Sequence, residues 1–563
     1  MALAIAIGES DFGCIRRGGA VYVDKTAAIT SIVTSYTKVF LLTRPRRFGK
    51  STFLSSLETF LQLPSIAGED TGPLFEGLDV WRSEAAREHH QRYPVLALNF
   101  KDMVAMSWPA ALELLRGQLD EALRRLSPVL DSPAVPPALR QRLDALVIPG
   151  ADPTQLPLAP RLFCEALHLA TGQPAVLLID EYDTPLHVAW QRGYLEEALS
   201  FFRGALGLVL KDNRHLHKAV LLGVVRTGIE SPYSGLNNLK GFPVTSDAYA
   251  DTFGFTQAEV EELAAQAGLQ DRMSEIEAWY NGYLIGGVRL YNPWSVLNYL
   301  KNPDDGPVPY WVNSGGTALV EALLDRHGAA LWPEVEGLLL GGSLTTQLEE
   351  SLVFADLETR PDALWSLLLA AGYLKPVALE VVHGERFAEL TVPNQEVLPS
   401  WRQIAARNLR DALRGPKAVD QLTRAMLAGE ERVFGELLRR LAVGALSFHD
   451  TGGDWPERVW QAFVLGILVH LDADYEVRSN LEVGYGRADV IVRPRQPGRP
   501  GVLIEFKRIE AEQDPEAALV GALQQIADRD YAAGLRGLAS PVRHLAIVFV
   551  GKKPYVRFGR PAA

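Results

Sequence analysis

The chain has 563 residues, 47% hydrophobic and 22% charged, with a net charge of −12. Such a length exceeds what one core serves and predicts several domains, and the composition is that of a globular rather than a disordered protein. The acidic balance excludes a broad basic coat for nucleic acid, so any such contact is expected in a local groove. Two cysteines, Cys14 and Cys164, exclude a cysteine-built zinc cluster and fit a reducing compartment. The opening run Met1–Ser10 has neither a basic n-region nor a cleavage pattern, and no stretch of about eighteen uncharged apolar residues occurs. The expectation is a cytoplasmic protein without a membrane span.

The first predicted strand is Val39–Leu42. It runs into Arg44-Pro45-Arg46-Arg47-Phe48-Gly49-Lys50-Ser51, which opens a helix expected over Ser51–Leu63. Strand, glycine-bearing turn and helix start is the context in which backbone N–H groups cradle phosphates. Lys50 would reach the β- and γ-phosphates of ATP, the Ser51 hydroxyl would bind Mg2+, and Thr52 continues the helix start. The usual pattern has glycine at position 44. Here Arg44 stands there, and its Cβ restricts the backbone. Arg44, Arg46 and Arg47 are candidates to add charge near the phosphates, while the plain alternative is a basic turn before an ordinary helix.

Further nearly continuous apolar runs follow at Val95–Phe100, Ala175–Ile179 and Ala219–Val225, with a helical pattern at Trp108–Leu126. Such runs predict a parallel sheet covered on both faces, hence an α/β fold. The third run ends in Asp180-Glu181-Tyr182-Asp183. Asp180 is a candidate Mg2+ partner and Glu181 a candidate base for an attacking water; the bland counterpart is a solvated acidic turn. After the fourth run, Arg226, with Thr227 beside it, is placed to sense a γ-phosphate, or only to pair with a surface carboxylate. From about 256 to 324 the pattern turns helical and aromatic. Residues of about 325–445 read as mostly helical, and a Gly/Asp/Pro cluster at Asp450–Pro456 reads as a boundary.

Beyond the boundary, a helix is expected over Trp455–Leu471. Then Gly486-Arg487-Ala488-Asp489 leads into Val490-Ile491-Val492, and a turn later comes Val502-Leu503-Ile504-Glu505-Phe506-Lys507. Alternation puts Val502, Ile504 and Phe506 on one face and Glu505 and Lys507 on the other. If the two segments form a hairpin, Asp489 joins them. Carboxylates of this kind bind Mg2+ or Mn2+ through hard oxygens, and Lys507 can orient a nucleophile or stabilise charge on a phosphate. The bland counterpart is an edge hairpin with a solvent-facing Glu/Lys pair. The spacing, fifteen residues between Asp489 and Glu505 and one before Lys507, resembles the active site of the PD-(D/E)XK nucleases. Glu457 is a further candidate metal ligand, although Asp454 and Glu457 also fit a capping box. Glu482 is the alternative. Gln525 and Tyr531, on a later helix, either face this site or belong to a polar helix face.

The chain as a whole resembles the bacterial and archaeal AAA-ATPase-like proteins that carry a C-terminal PD-(D/E)XK nuclease domain. The likeness rests on Tyr22-Val23-Asp24-Lys25-Thr26, the loop at 44–51, Ile179-Asp180-Glu181-Tyr182-Asp183, Ser234-Gly235-Leu236-Asn237-Asn238, Tyr291-Asn292-Pro293-Trp294-Ser295, Pro393-Asn394-Gln395-Glu396-Val397 and Gly484-Tyr485-Gly486-Arg487 before Asp489. In this family an arginine at position 44 is ordinary, whereas Val225 stands where relatives carry serine. The resemblance implies an ATPase core over 1–250, a helical lid over 251–330, a helical linker over 331–450 and a restriction-endonuclease-like α/β domain over 451–563. It implies a nuclease coupled to a nucleotide-dependent module and supplies no substrate. The expectation beside it is cutting of DNA ahead of RNA, regulated or assembled by nucleotide state, in a role such as defence against mobile DNA. Homo-oligomers are compatible with it. A reading of another class is a nucleotide-switched sensor or scaffold whose nuclease-like domain binds nucleic acid or a partner without cutting.

Overall fold

A computed structural model describes residues 3–226, 238–311, 331–401 with short gaps, 416–446, 474–483, 486–510, 512–528, 535 and 539–559 except 552. The chain falls into two compact units, 1–320 with 345–397, and 321–344 with 398–563.

The first unit is built on a parallel sheet of β1 (Val39–Thr43), β2 (Val95–Asn99), β3 (Ala175–Asp180), β4 (Leu216–Gly223) and β5 (Leu239–Phe242), in the order β2-β3-β4-β1-β5. Every residue of β1 and β3 is buried, as the unbroken apolar runs require of strands covered on both faces. Because β4 lies between β1 and β3, the loop that leaves β1 and the acids that end β3 come to the same edge of the sheet. That edge, at the carboxyl ends of the strands, is where α/β sheets bind ligands.

The region beyond the sheet packs its own core from Phe255, Val260, Leu263, Ile276, Tyr280, Tyr291, Val296 and Tyr299. It includes the helices Gln257–Ala267, Met273–Tyr280 and Pro293–Lys301 and a hairpin of β6 (Tyr283–Ile285) and β7 (Val288–Leu290). The first helix is closed by a capping box of Thr256 and Glu259. The mostly helical reading of 325–445 is corrected by three strands: β8 (Leu344–Gln347), β9 (Lys375–Val382) and β10 (Glu385–Thr391), the last two antiparallel. The turn between β9 and β10 is His383-Gly384, both at positive φ (52° and 87°), the geometry of a tight hairpin. The apolar alternation of Val377, Leu379 and Val381 was the overlooked signal.

The second unit contains a sheet of β11 (Tyr475–Val483), β12 (Gly486–Pro494), β13 (Arg499–Ile509), β14 (Ala539–Val550) and β15 (Lys553–Phe558), in chain order. Only β13 and β14 pair in parallel; the other neighbours are antiparallel. One face of the sheet, with Val490, Val502, Ile504 and Phe506, packs on Leu422, Met426, Phe434 and Leu438 from the helices Pro416–Ala428 and Glu431–Leu446. These helices lie within the stretch read as a linker, and they belong to this core. The opposite face, with Ile491, Leu503, Ala546 and Val548, packs on the helix Pro515–Asp528. Among the described residues, no helix is long and apolar enough to cross a membrane.

Candidate functional site

At the carboxyl edge of the parallel sheet the helix Lys50–Leu61 begins from Gly49, which is left-handed at φ 84°. Arg47 also has positive φ, 65°. A non-glycine residue in that region stores strain of the kind found at ligand sites. Lys50 is buried, and its Nζ donates to the carbonyls of Arg44 (3.1 Å) and Pro45 (2.8 Å), both in its own loop. Burial lowers its pKa, opposed by the charges of Glu181, Asp180 and Asp183. Ser51 Oγ donates to Asp180 Oδ2 at 2.5 Å, so the hydroxyl and the carboxylate that the motifs single out meet across 129 residues of sequence. Burial pushes the Asp180 carboxyl up, and the Ser51 bond and Lys50 pull it back.

Glu181 sits at φ 48°. Its N–H donates to Asp180 Oδ1 (3.0 Å) and its Oε2 accepts from Thr184 Oγ1 (3.0 Å). Asp183, to which the sequence reading gave no role, accepts the N–H groups of Val224 (2.9 Å) and Val225 (3.0 Å) on one oxygen. It thereby fixes the chain just before Arg226. Gly223 is obligatory beside it, since a Cβ there would lie 2.6 Å from both Asp183 Oδ1 and the Tyr182 ring. Arg226 packs against Gly241 of β5 and borders a small cavity with Thr43 and Ser366. Thr227 and Ser234–Asn237 lie outside the described residues.

The arginines divide. Arg44 does not bring its charge toward the phosphate position: its guanidinium is fully buried and donates to the carbonyls of Thr43 (2.7 Å), Phe242 (2.8 Å), Pro243 (3.2 Å) and Tyr249 (2.7 Å). Burial lowers its pKa to about 9. Arg47 stacks on the Trp294 ring at 4.2 Å and lies in the field of Glu181 and Arg46. Phe48 is buried edge-on against Tyr283, with ring centroids 4.9 Å apart. Gly49 and Thr52 line a cavity of about 110 Å³ together with Tyr22, Lys25, Pro293 and Leu297. Lys25 at its wall pairs with both oxygens of Glu259 (2.7 and 2.8 Å). This cavity escapes sequence reading because its walls come from four distant segments, within 5–25, 48–53, 252–255 and 293–297.

In the second unit the paired register of β12 and β13 runs from Val492–Val502 to Val490–Ile504. There the carboxylate of Asp489 takes over, with Oδ2 accepting the N–H of Phe506 at 2.9 Å. Glu505, 2% exposed, accepts at Oε1 from Gln525 Nε2, and Lys507 Nζ donates to Gln525 Oε1 at 2.8 Å. Lys507 Nζ lies 3.5 Å from Glu505 Oε1, and its side chain is 35% exposed. The edge-hairpin alternative fails on topology, since β13 is the central strand and the helix Pro515–Asp528 covers this face. Glu482 stands on β11 opposite Arg487. Glu457, Tyr531 and the helix expected over Trp455–Leu471 lie outside the described residues. Among those described, no three His, Cys, Asp or Glu side chains converge as a metal cluster.

The two folds define a P-loop α/β core and a nuclease-like α/β domain in one chain. Residues 6–231 match the family described as Predicted AAA-ATPase, and residues 455–558 match the PD-(D/E)XK nuclease superfamily. The chain thus has the architecture of an AAA-ATPase-like protein with a C-terminal PD-(D/E)XK nuclease domain. It is similar to an uncharacterized protein in the vnfD 5' region of Azotobacter chroococcum mcd 1, with 29% identity over 556 residues covering 97% of this chain and 96% of that protein.

Proposed function

We propose that this chain is a cytoplasmic, ATP-binding, metal-dependent nuclease that cuts DNA in preference to RNA, with nucleotide state governing the cutting domain. A role in defence against mobile DNA and action as a homo-oligomer fit such a regulated nuclease. The observation that carries the reading is Glu505 and Lys507 on the central strand, bridged by Gln525 of the covering helix, with Asp489 on the neighbouring strand.

At the first site, Lys50 would exchange its two carbonyl partners for nucleotide phosphates, a charge-assisted bond stronger than either. Ser51 and Asp180 offer a hydroxyl and a carboxylate already in contact, a hard-oxygen pair suited to Mg2+. Glu181 is the candidate to accept a proton from an attacking water.

At the second site, Asp489 and Glu505 are hard carboxylate donors, and that chemistry fits Mg2+ or Mn2+. When bound, such an ion supplies positive charge to the scissile phosphate and acidity to a water. Gln525 holds Glu505 and Lys507 in fixed orientation. Lys507, the more exposed of the two, orients the nucleophile or stabilises the phosphate's developing charge. Glu457 and Glu482 remain the candidates for a further ligand.

The test is incubation of the purified chain with plasmid, single-stranded DNA and RNA in Mg2+ or Mn2+, with and without ATP, beside Lys507→Ala. Cutting that vanishes in the variant and responds to ATP is expected. Nucleotide binding with no cutting under any condition would favour the sensor or scaffold.

A further inference from the structure

Four consecutive residues of the phosphate loop are held from outside by one layer of residues. Pro45 lies against Gly372, where a Cβ would come within 3.0 Å of it. The Arg46 carbonyl accepts from the Trp311 indole N–H at 3.2 Å, Arg47 stacks on Trp294, and Phe48 meets Tyr283 edge-on. A loop with arginine in place of its first glycine has fewer ways to fold upon itself. Here the missing freedom is matched by an external wall.

That wall has a buried acid at its centre. Glu396, 0% exposed, accepts at Oε1 from Ser295 Oγ (2.7 Å) and from the backbone N–H of Trp311 (2.8 Å). Ser295 follows Trp294 in the first turn of the helix Pro293–Lys301, whose start Asn292 caps. One carboxylate oxygen therefore fixes both the segment that stacks on Arg47 and the residue that bonds Arg46. Around Glu396 stand Tyr280, Tyr283 and Tyr310, all within its field. The Glu396 backbone N–H donates to the Trp279 carbonyl at 3.4 Å. A buried carboxylate is costly and persists where its bonds hold something in place.

We infer that Glu396 is a positioning residue for nucleotide binding, setting the shape of the loop 45–48 through Ser295–Trp294 and Trp311. The inference rests on the nucleotide reading for its purpose but not for its geometry. It accounts for the strings around Asn292–Ser295 and Asn394–Val397, which the two active sites do not use.

The experiment measures amide exchange of Arg46–Gly49 in the full chain without nucleotide, and the affinity for a fluorescent ATP analogue, in Glu396→Ala, Glu396→Gln and Trp311→Phe. Loss of both bonds in Glu396→Ala should speed exchange and weaken the analogue, each about tenfold. Glu396→Gln keeps an acceptor for Ser295 and Trp311 and should stay within about twofold. Trp311→Phe keeps the backbone bond to Glu396 and removes only the indole bond to Arg46; a loss of about fivefold is expected. Exchange unchanged in a folded Glu396→Ala chain overturns the inference, and if that variant does not fold, unchanged exchange in Trp311→Phe does so. Altered exchange in a chain whose wild type binds no nucleotide would support the positioning role and sink the nucleotide reading instead.

Discussion

Both candidate sites set a lysine beside a carboxylate, yet they hold the pair by opposite means. At the phosphate loop the groups sit on backbone that leaves strands: Lys50 is bonded to carbonyls of its own loop, and Arg47, Gly49 and Glu181 all have positive φ. In the nuclease-like domain Glu505 and Lys507 sit on the central strand, two residues apart, and a side chain from a covering helix joins them. A loop site can change shape when its ligand arrives, because its bonds are exchangeable and its strain is local. A strand site is set by the sheet and changes little. The regulated element and the cutting element are thus expected to be the loop and the strand, respectively.

The sharpest break in this comparison is Lys507→Ala, expected to cut cleavage by roughly a thousandfold while leaving ATP-analogue affinity unchanged, because loss of one charge-stabilising donor costs about 10²–10³. Plasmid nicking and analogue titration on the same preparation check both halves; a parallel loss of nucleotide binding would tie the sites together more rigidly than the comparison holds. Next is Lys50→Ala, expected to weaken the analogue by roughly a hundredfold, in the range for removing one partner of a close charge pair.

The third effect is on stability. Burial raises the Glu396 carboxyl to about 7, so it keeps its proton in the fold over a range where the unfolded chain loses it. The stability associated with that proton is fully present below about 4.5 and is lost as pH rises through about 7. Wild type should therefore lose stability relative to Glu396→Gln across that window, by roughly 3 kcal/mol at most, with a constant gap above it. Thermal melts at several pH values check the sign, and a gap independent of pH would remove Glu396 as its source. The smallest expected effect is Gln525→Ala, which removes the amide bridge between Glu505 and Lys507 but leaves their direct 3.5 Å pair, and should slow cleavage about tenfold while shifting its pH profile; an unmoved profile would make Gln525 mere packing.

What the sequence made legible was whatever lay in one contiguous string. The strand–loop–helix at 39–61, the acids after β3 and the Glu505–Lys507 alternation were readable because each is local in the chain and its geometry follows from period and turn chemistry. Arg44 was misjudged for the opposite reason. A loop arginine beside Lys50 suggests phosphate, but its destination is a set of carbonyls at Phe242, Pro243 and Tyr249, about two hundred residues on. The cavity beside Thr52, the layer around Glu396 and the helices Pro416–Leu446 on the nuclease-like sheet share that property: each is made by segments whose meeting no periodicity announces.

One feature of β12 bears on the choice of an inactive form. Asp489 accepts the Phe506 N–H where the β12–β13 register stops, so its carboxylate also closes a hydrogen-bond ladder. Removing it would leave a buried amide without its acceptor, and the strand ends beside Glu505 would loosen along with any loss of chemistry. Glu505 is entangled in the same way through burial. Lys507, partly exposed at the rim of the covering helix, can be exchanged with the least disturbance to the sheet. For a loss-of-function allele, a dominant-negative chain or a substrate trap, position 507 is the one at which silence can be told apart from collapse.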